Sequence, residues 1–205
     1  MKGFYNLLLL GILVASSACK QNDIQVKSLS DAMDSILTRF YAEFSPEVLK
    51  KATPEFILNN ITLEERKALA TKYWYFDANI PVVVSLMRHE RQPTVPFWIE
   101  EAGFNKTTLK VSNEEYTYEV WQKVFPAGKV ELGISGFGNY RTPYFVSVGK
   151  ADVNNPDELK ITTVYPATQD QQPMAKGSHV YTCWRLKVQE FPKELEGDIL
   201  LLIFV

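Results

Sequence analysis

The chain has few of the residues that usually build metal centres and reactive sites. Its 205 residues include two histidines and two cysteines. It contains no C-x-x-C, no H-E-x-x-H and no G-x-S-x-G pattern, so neither a zinc site nor a serine-hydrolase elbow of that type is indicated. His89 and His179 stand in no ligand pattern, whereas a binuclear metal centre needs several converging ligands. We therefore predict no metal, no cofactor and no catalytic residue in this chain.

An excess of charge of one sign is also missing. The chain has 22 lysines and arginines against 24 aspartates and glutamates, for a net charge of -2. A nucleic-acid interface normally presents a basic patch or stripe, and no block of like charges occurs here. The composition therefore predicts no nucleic-acid partner.

The first residues lack an apolar run long enough to span a bilayer. Leu7 to Val14 is apolar but short, and it is followed by the small residues Ala15 to Ala18 and then by Cys19. This order resembles the signal peptide and lipobox of bacterial lipoproteins, in which the cysteine is lipidated and becomes the mature N-terminus. Ser16 departs from the usual leucine, and the alternative is an ordinary secretory signal cleaved near Ala18. The resemblance implies a protein of the bacterial cell envelope whose membrane partner is reached through lipid on Cys19.

Lipidation of one cysteine leaves the other without a partner inside the chain. Cys183 would then be unable to form an internal disulfide, although the compartment permits one. No histidine or cationic cluster lies near Cys183 in the sequence, so we expect an inert, half-buried thiol.

The fold class predicted from the patterning is α+β, mainly β, with short N-terminal helices followed by an antiparallel β-sandwich-like domain. We divide the chain into a signal peptide (1–19), a tether (20–27), a helical region (28–78) and an antiparallel β-domain (79–205). The last residues, 199–205, are all apolar. They indicate either a closing strand or a strand interrupted where the chain is cut short.

Helix-start signals follow one another in the helical region. A serine or threonine that can cap a helix precedes proline and glutamate in two of them, and another forms the S/T-x-x-E capping box. An apolar stripe with helical spacing follows the first. The signals are Ser28 to Asp31, Ser45 to Glu47, Thr53 to Glu55 and Thr62 to Glu65.

Period-two alternation predicts strands over much of the rest of the chain. It is clearest between Glu115 and Gly149, where the turn residues Pro126 to Gly128 predict a hairpin between the first two strands. Ile80 to Met87 is apolar on both faces, which is typical of a central strand. Further strands are predicted at 107–111, 161–165 and 180–189, with a polar loop at 166–177. A short helix is predicted at 96–103, because Pro96 suits its first turn and Gly103 its C-terminal cap.

Two aromatic segments are candidates for ligand binding. The loop from Gly136 to Pro143 offers Phe137, Tyr140 and Arg141 between two strands, where binding residues are common. Together with Trp98, these residues could hold a sugar; the alternative is a long turn in which Phe137 caps the core. The cluster at 73–76 could likewise be a sugar-stacking platform, but an aromatic plug between helices and sheet is the favoured interpretation.

Five short segments of the sequence share a resemblance to one family: Met87 to His89, Val95 to Trp98, Gly103 to Thr107, Tyr118 to Lys123 and Lys129 to Gly133. They resemble the N-terminal, non-catalytic region of secreted lipoprotein metallophosphoesterases of the calcineurin-like, purple-acid-phosphatase-like kind. The resemblance covers roughly residues 80–190. It implies an accessory region that precedes a catalytic domain. The family's D-x-H, G-D and G-N-H metal motifs are not complete in this chain, so no metal ligand is carried over.

These observations lead to one functional expectation and two alternatives. We expect a lipid-anchored cell-envelope lipoprotein that acts as a non-catalytic binding or scaffold module, with an envelope protein or a glycan as its partner. The first alternative is the accessory part of a metallophosphoesterase whose catalytic domain is absent from this chain. The second is a carbohydrate-binding lipoprotein.

Overall fold

The computed structural model describes residues 28–137, 144–166, 170–179 and 186–201. The predicted signal peptide with Cys19, the tether, the loop residues Tyr140 and Arg141, and Cys183 lie outside the described residues. So do most of the strand predicted at 180–189 and the final residues 202–205.

Four helices open the described part of the chain, as the start signals predict: α1 (Leu29–Glu43), α2 (Pro46–Leu49), α3 (Pro54–Asn59) and α4 (Leu63–Thr71). Ser28 caps α1 by accepting a hydrogen bond from the Asp31 amide, and Thr53 caps α3 in the same way. Thr62 and Glu65 form both bonds of the capping box at the start of α4. No such cap bond forms at Ser45, before α2.

An ion pair and a small apolar core hold the helices together. Arg39 of α1 and Glu65 of α4 approach to 2.8 Å between nitrogen and oxygen. Beside this pair, Ile36, Phe40 and Leu69 are buried in one cluster. The helical region is therefore packed by its own side chains as well as against the sheets.

Two antiparallel sheets form the rest of the fold. Within the described ranges, the larger sheet has seven strands in the order β8-β10-β6-β2-β4-β3-β9, and the smaller has three in the order β5-β1-β7. A short helix, α5 (Phe97–Glu101), and a 3-10 turn (Lys193–Leu195) complete the described elements. The strands are β1 (Trp74–Ala78), β2 (Val82–His89), β3 (Asn105–Asn113), β4 (Thr117–Phe125), β5 (Gly128–Leu132), β6 (Phe145–Lys150), β7 (Ile161–Tyr165), β8 (Gln171–Pro173), β9 (Val188–Glu190) and β10 (Ile199–Leu201).

The larger sheet is apolar on both faces. Its inner face packs on the smaller sheet and α5, and buries Val84, Leu86 and Trp121 with Trp74 and Phe76. The opposite face carries a second buried cluster: Met87, Val111, Tyr118, Val120, Phe145, Met174, Val188, Leu195 and Leu200. The central strand β2 contributes to both clusters, which confirms the prediction that it is covered on both sides. The two-sheet architecture likewise confirms the predicted α+β, mainly β, sandwich-like class.

The predicted hairpin between β4 and β5 is wrong. β4 pairs with β2 and β3 in the larger sheet, whereas β5 pairs with β1 in the smaller one. Pro126 and Ala127 therefore carry the chain from one sheet to the other. The reason is burial, because the apolar side chains Val130 and Leu132 of β5 fill the space between the two sheets.

Three further segments differ from the prediction or refine it. Residues 74–78, placed in the helical region, form β1, and the complete burial of Trp74 and Phe76 matches the aromatic-plug interpretation. Residues 171–173, placed in a polar loop, form the strand β8 beside β10. The predicted apolar strand near the end of the described chain is present as β10, which pairs with β6 and β8.

Candidate functional site

Trp98, a predicted ligand-binding residue, lies in α5 with its indole ring turned into the core. Its side chain is 1% exposed, and its ring meets that of Phe104 edge-on at 5.9 Å between centroids. The indole N–H donates a hydrogen bond of 2.7 Å to the backbone carbonyl of Ile134. Stacking of a sugar needs an open ring face, and Trp98 has none. Trp98 therefore supports a neighbouring surface rather than offering a stacking platform.

Phe137, the other described residue of the predicted set, is half-buried. Its ring is stacked on that of Phe97 of α5, with a centroid distance of 6.1 Å and an angle of 13°. Phe137 also lines an apolar groove of about 240 Å³ along α1, whose other walls include Leu37 and Tyr41. The structure thus matches the interpretation in which Phe137 packs on the core at the start of the loop.

A second concave surface lies where the two sheets separate, and we name it the β5-edge cleft. Its volume is about 350 Å³, within the range of about 300–1,000 Å³ that is common for small-molecule sites. It opens beside β5 because β5 is an edge strand of the smaller sheet. Its lining comes from α4, α5, β4 and β5: Ala70, Thr71, Trp98, Glu101, Ala102, Lys123, Phe125, Lys129 and Glu131.

The apolar floor of the cleft is formed by Phe125 and Ala102, together with Ala70 of α4. Trp98 also lines it but is almost fully buried. Trp98 and Phe125 belong to the core between the sheets, and Ala102 packs against that core from the end of α5. Thr71, the polar residue of the α4 wall, already donates its hydroxyl hydrogen to the carbonyl of Lys67 at 2.8 Å. These surfaces favour an apolar ligand body.

Both carboxylates of the cleft are held in ion pairs. Glu131 accepts from Lys72 at 2.7 Å and lies 3.1 Å from the ammonium of Lys129. Glu101 accepts from Arg66 at 2.5 Å. Burial by itself raises the pKa of Glu131, but the hydrogen bonds from the two lysines outweigh it and keep that pKa below its usual value.

Among the described residues, Lys123 is the charged side chain of the cleft that lacks a carboxylate partner. Within the described part of the chain, no carboxylate lies within ion-pair distance of its ammonium nitrogen, which instead sits 4.3 Å from the centre of the Phe125 ring. Burial lowers the pKa of Lys123, because removing water from the ammonium disfavours the charged form. A half-buried cation of this kind is stabilised by any anion that enters the cleft.

A buried ionic network lies at the C-terminal end of β2, around Arg88. The sequence analysis did not predict it. Glu119 accepts from Arg88 at 2.5 Å, from the Trp121 indole at 2.9 Å and from Lys106 at 2.5 Å. Arg88 also donates to the backbone carbonyl of Gln92, whose amide in turn donates to the carbonyl of Ser135 at 2.9 Å. The network joins β2, β3 and β4 and fixes the segment that follows β5. The alternation of β4 placed Glu119 on one face, but only the fold shows that this face is buried.

Neither the cleft nor the network could have been found from motifs. Lys72 and Glu131 are separated by 59 positions, so their pairing, which leaves Lys123 as the unpaired lysine, is a consequence of the fold. Among the described residues, no group of three or more His, Cys, Asp or Glu side chains lies close enough to hold a metal ion. The helices in the described ranges are all too short or too polar to cross a membrane.

Comparison of the chain with models of protein families, with curated proteins and with solved structures finds no match. The structural evidence for a function is therefore the β5-edge cleft.

Proposed function

We propose that this chain is a non-catalytic binding module of the bacterial cell envelope, tethered to a membrane by lipid on Cys19, and that its ligand occupies the β5-edge cleft. The observation that carries the proposal is the Lys123 ammonium, which has no carboxylate partner among the described residues, beside the apolar surface of Phe125 and Ala102. A concave, mostly apolar surface with a single unsatisfied polar group is the usual form of a ligand site.

The two carboxylates of the cleft are better suited to binding than to proton transfer near neutral pH. A general acid or base that works near neutral pH needs a pKa close to that pH. The pKa of Glu131 is lowered, away from that range, by its two lysine partners. Glu101 is held by Arg66. Both carboxylates therefore serve as fixed partners for cations of the wall.

A cleft-filling variant tests the binding site. Ala102 lines the cleft at the end of α5 and adopts a right-handed helical conformation, which accepts any side chain. We expect Ala102→Trp to fold and to occupy the cleft with its own ring. In a panel of envelope-derived small molecules, a ligand of the cleft should raise the melting temperature of the wild type and leave that of Ala102→Trp unchanged. A panel that stabilises both proteins equally, or neither, would contradict the proposal.

Lipid attachment is tested separately in cells. Radiolabelled palmitate should enter the wild-type protein and the matched Cys183→Ala variant, and should be lost in Cys19→Ala. Equal labelling of all three proteins would show that Cys19 is not the anchor. This result would remove the membrane tether and leave the cleft untouched.

The two alternative functions have their own assays. If the chain is the accessory part of a metallophosphoesterase, turnover of a chromogenic phosphoester requires the downstream domain and is abolished by a chelator. Turnover by this chain alone would overturn the module proposal. Binding to a glycan array that is lost in Tyr140→Ala would favour the carbohydrate-binding alternative.

A further inference from the structure

We propose that the β5-edge cleft binds a small organic acid, with one anionic group paired to Lys123 and an apolar body against Phe125 and Ala102. This inference rests on the proposed function, because it names the class of ligand that the binding module takes.

The charge of the cleft selects an anion. Its two carboxylates are each neutralised by at least one cation, and Glu131 is contacted by two, Lys72 and Lys129. Lys123 is left over, so the cleft carries local positive charge in a chain whose net charge is -2. A cationic ligand would have to displace one of the existing ion pairs, whereas an anionic ligand completes a pair that is missing.

The surroundings of Lys123 select a ligand with an apolar part. Its ammonium lies against the Phe125 ring, and the next walls of the cleft are the side chains of Ala70, Ala102 and Trp98. A small inorganic anion would form an ion pair with Lys123 but would leave these apolar side chains exposed to water. Because burial of apolar surface contributes roughly 25 cal/mol per Å², an aromatic or branched aliphatic body adds affinity that a bare anion lacks.

The positions of the existing ion pairs limit the ligand to one strong anionic contact. Lys129 is held by Glu131 but keeps about half of its side chain exposed, at 49%. Lys72 is more enclosed, at 24%, and is directed to the same carboxylate. A ligand with a single carboxylate therefore matches Lys123, which has no carboxylate partner in the described ranges, better than a multiply charged phosphate ester does.

The test uses a pair of probes that differ only in charge. Binding of 3-phenylpropanoate, of its neutral amide 3-phenylpropanamide and of inorganic phosphate is measured by isothermal titration calorimetry on the wild type, Lys123→Met, Lys123→Arg and Lys160→Met. Lys160 is exposed at the start of the β7 segment, away from the lining of the cleft, so its variant is the matched control.

We expect the wild type and Lys160→Met to bind the acid about tenfold more tightly than the amide, the size of effect measured for close charge pairs across interfaces. Lys123→Met should lose this preference and bind acid and amide alike. Lys123→Arg keeps the charge and should keep the preference. Retained binding of the amide by Lys123→Met shows that this variant is folded.

Three results would overturn the inference. They are equal affinity of the wild type for acid and amide, unchanged affinity for the acid in Lys123→Met, and binding of phosphate without binding of the acid. If the acid fails while a panel ligand is still blocked by Ala102→Trp, the binding module stands and only the ligand class is wrong. If acid binding is confirmed while Cys19 takes up no palmitate, the ligand class stands and the membrane tether fails.

Discussion

At the scale of single residues, a row of polar groups crosses the outer face of the larger sheet in the middle of an apolar cluster. Gln122 donates to the Ser85 hydroxyl at 3.0 Å, and the Ser147 hydroxyl donates to Asp198 at 3.1 Å. Ser85 and Ser147 face each other on paired strands and are fully buried. Asp198 fits because position 149 is glycine, where an added Cβ would lie 2.2 Å from the Asp198 carboxylate.

The buried carboxyl of Asp198 should make the stability of the protein depend on pH. Burial raises its pKa from 3.8 to about 6, against the opposing hydrogen bond from Ser147. Since the folded pKa lies above the unfolded value, the contribution of Asp198 to stability is largest when it is protonated, below about pH 4, and is lost as the pH rises through 6. Asp198→Asn should therefore gain up to about 2–3 kcal/mol over the wild type between pH 4 and pH 7.

The measurement is urea denaturation of both proteins across this pH range. Asp157→Asn, which removes an exposed carboxyl, is the control for general effects of charge. A difference between wild type and Asp198→Asn that stays constant from pH 4 to pH 7 would contradict the assignment.

The pKa of Glu65 is shifted in the opposite direction to that of Asp198. Its burial alone would raise its pKa, but bonds from Arg39, the Thr62 amide and Ser35 outweigh this and lower the pKa to about 2. Its stabilising contribution is present above the unfolded value of 4.5 and is lost as the pH falls toward 2. Glu65→Gln should cost about 2–3 kcal/mol at pH 7, since it breaks a largely buried pair.

The loss in Glu65→Gln should shrink between pH 5 and pH 2.5, as measured by thermal unfolding. Glu64→Gln, at the adjacent exposed position of α4, is the matched control and should change stability little at any of these pH values. A loss that is independent of pH would show that packing, and not the ion pair, is responsible.

At the scale of elements, hydrogen bonds at the junction of α4, α5 and β5 hold these three elements, which line the cleft, in fixed positions. The amide of Ile134 donates to the Leu69 carbonyl at 2.8 Å, and the Trp98 indole donates to the Ile134 carbonyl. Gly133 lies between these contacts, and the buried Tyr144 hydroxyl donates to its carbonyl at 2.7 Å. Three elements and the start of β6 therefore meet around one glycine.

Gly133→Ala should disturb this junction. An added Cβ would lie 2.6 Å from the Trp98 ring and 2.7 Å from the Leu69 carbonyl oxygen, closer than atoms of these kinds approach. Overpacking of this kind costs about 1–3 kcal/mol. We expect a lower melting temperature together with a change in tryptophan fluorescence, because the Trp98 ring has to move. An unchanged melting temperature would show that the junction is looser than the structure indicates.

At the scale of the whole molecule, the order of strands predicts where the fold is most resistant to opening. β2 lies at the centre of the larger sheet between β4 and β6, and it is buried on both faces. β8 and β9 are three-residue strands at the two edges. Local opening needs the least energy where few contacts are broken.

Hydrogen exchange followed by mass spectrometry should therefore show the slowest amide exchange in β2 and β4. The peptides that cover β8 and β9 should exchange faster by at least about tenfold, since edge strands open without unfolding the sheet. Exchange at the same rate in all of these strands would indicate that the sheet opens only as one unit.

The sequence by itself determined the elements whose causes are local. The caps at Ser28, Thr53 and Thr62 form because the capping side chain and the amides it serves are within three residues of each other. The alternation of β4 and β5 and the apolar run of β2 predicted strands, since period-two patterning is a property of neighbouring positions. The mainly β class with N-terminal helices followed from these elements.

Only the tertiary structure decided which strands pair and which charges remain free. Proline and glycine after β4 are compatible with a hairpin, but burial of Val130 and Leu132 between the sheets places β5 beside β1 instead. The same placement brings Glu131 to Lys72 and Lys129. It leaves Lys123 beside Phe125 with no carboxylate partner in the part of the chain that the structure describes. The candidate site exists because residues far apart in the chain meet at the open edge of β5, and no local pattern encodes such a meeting.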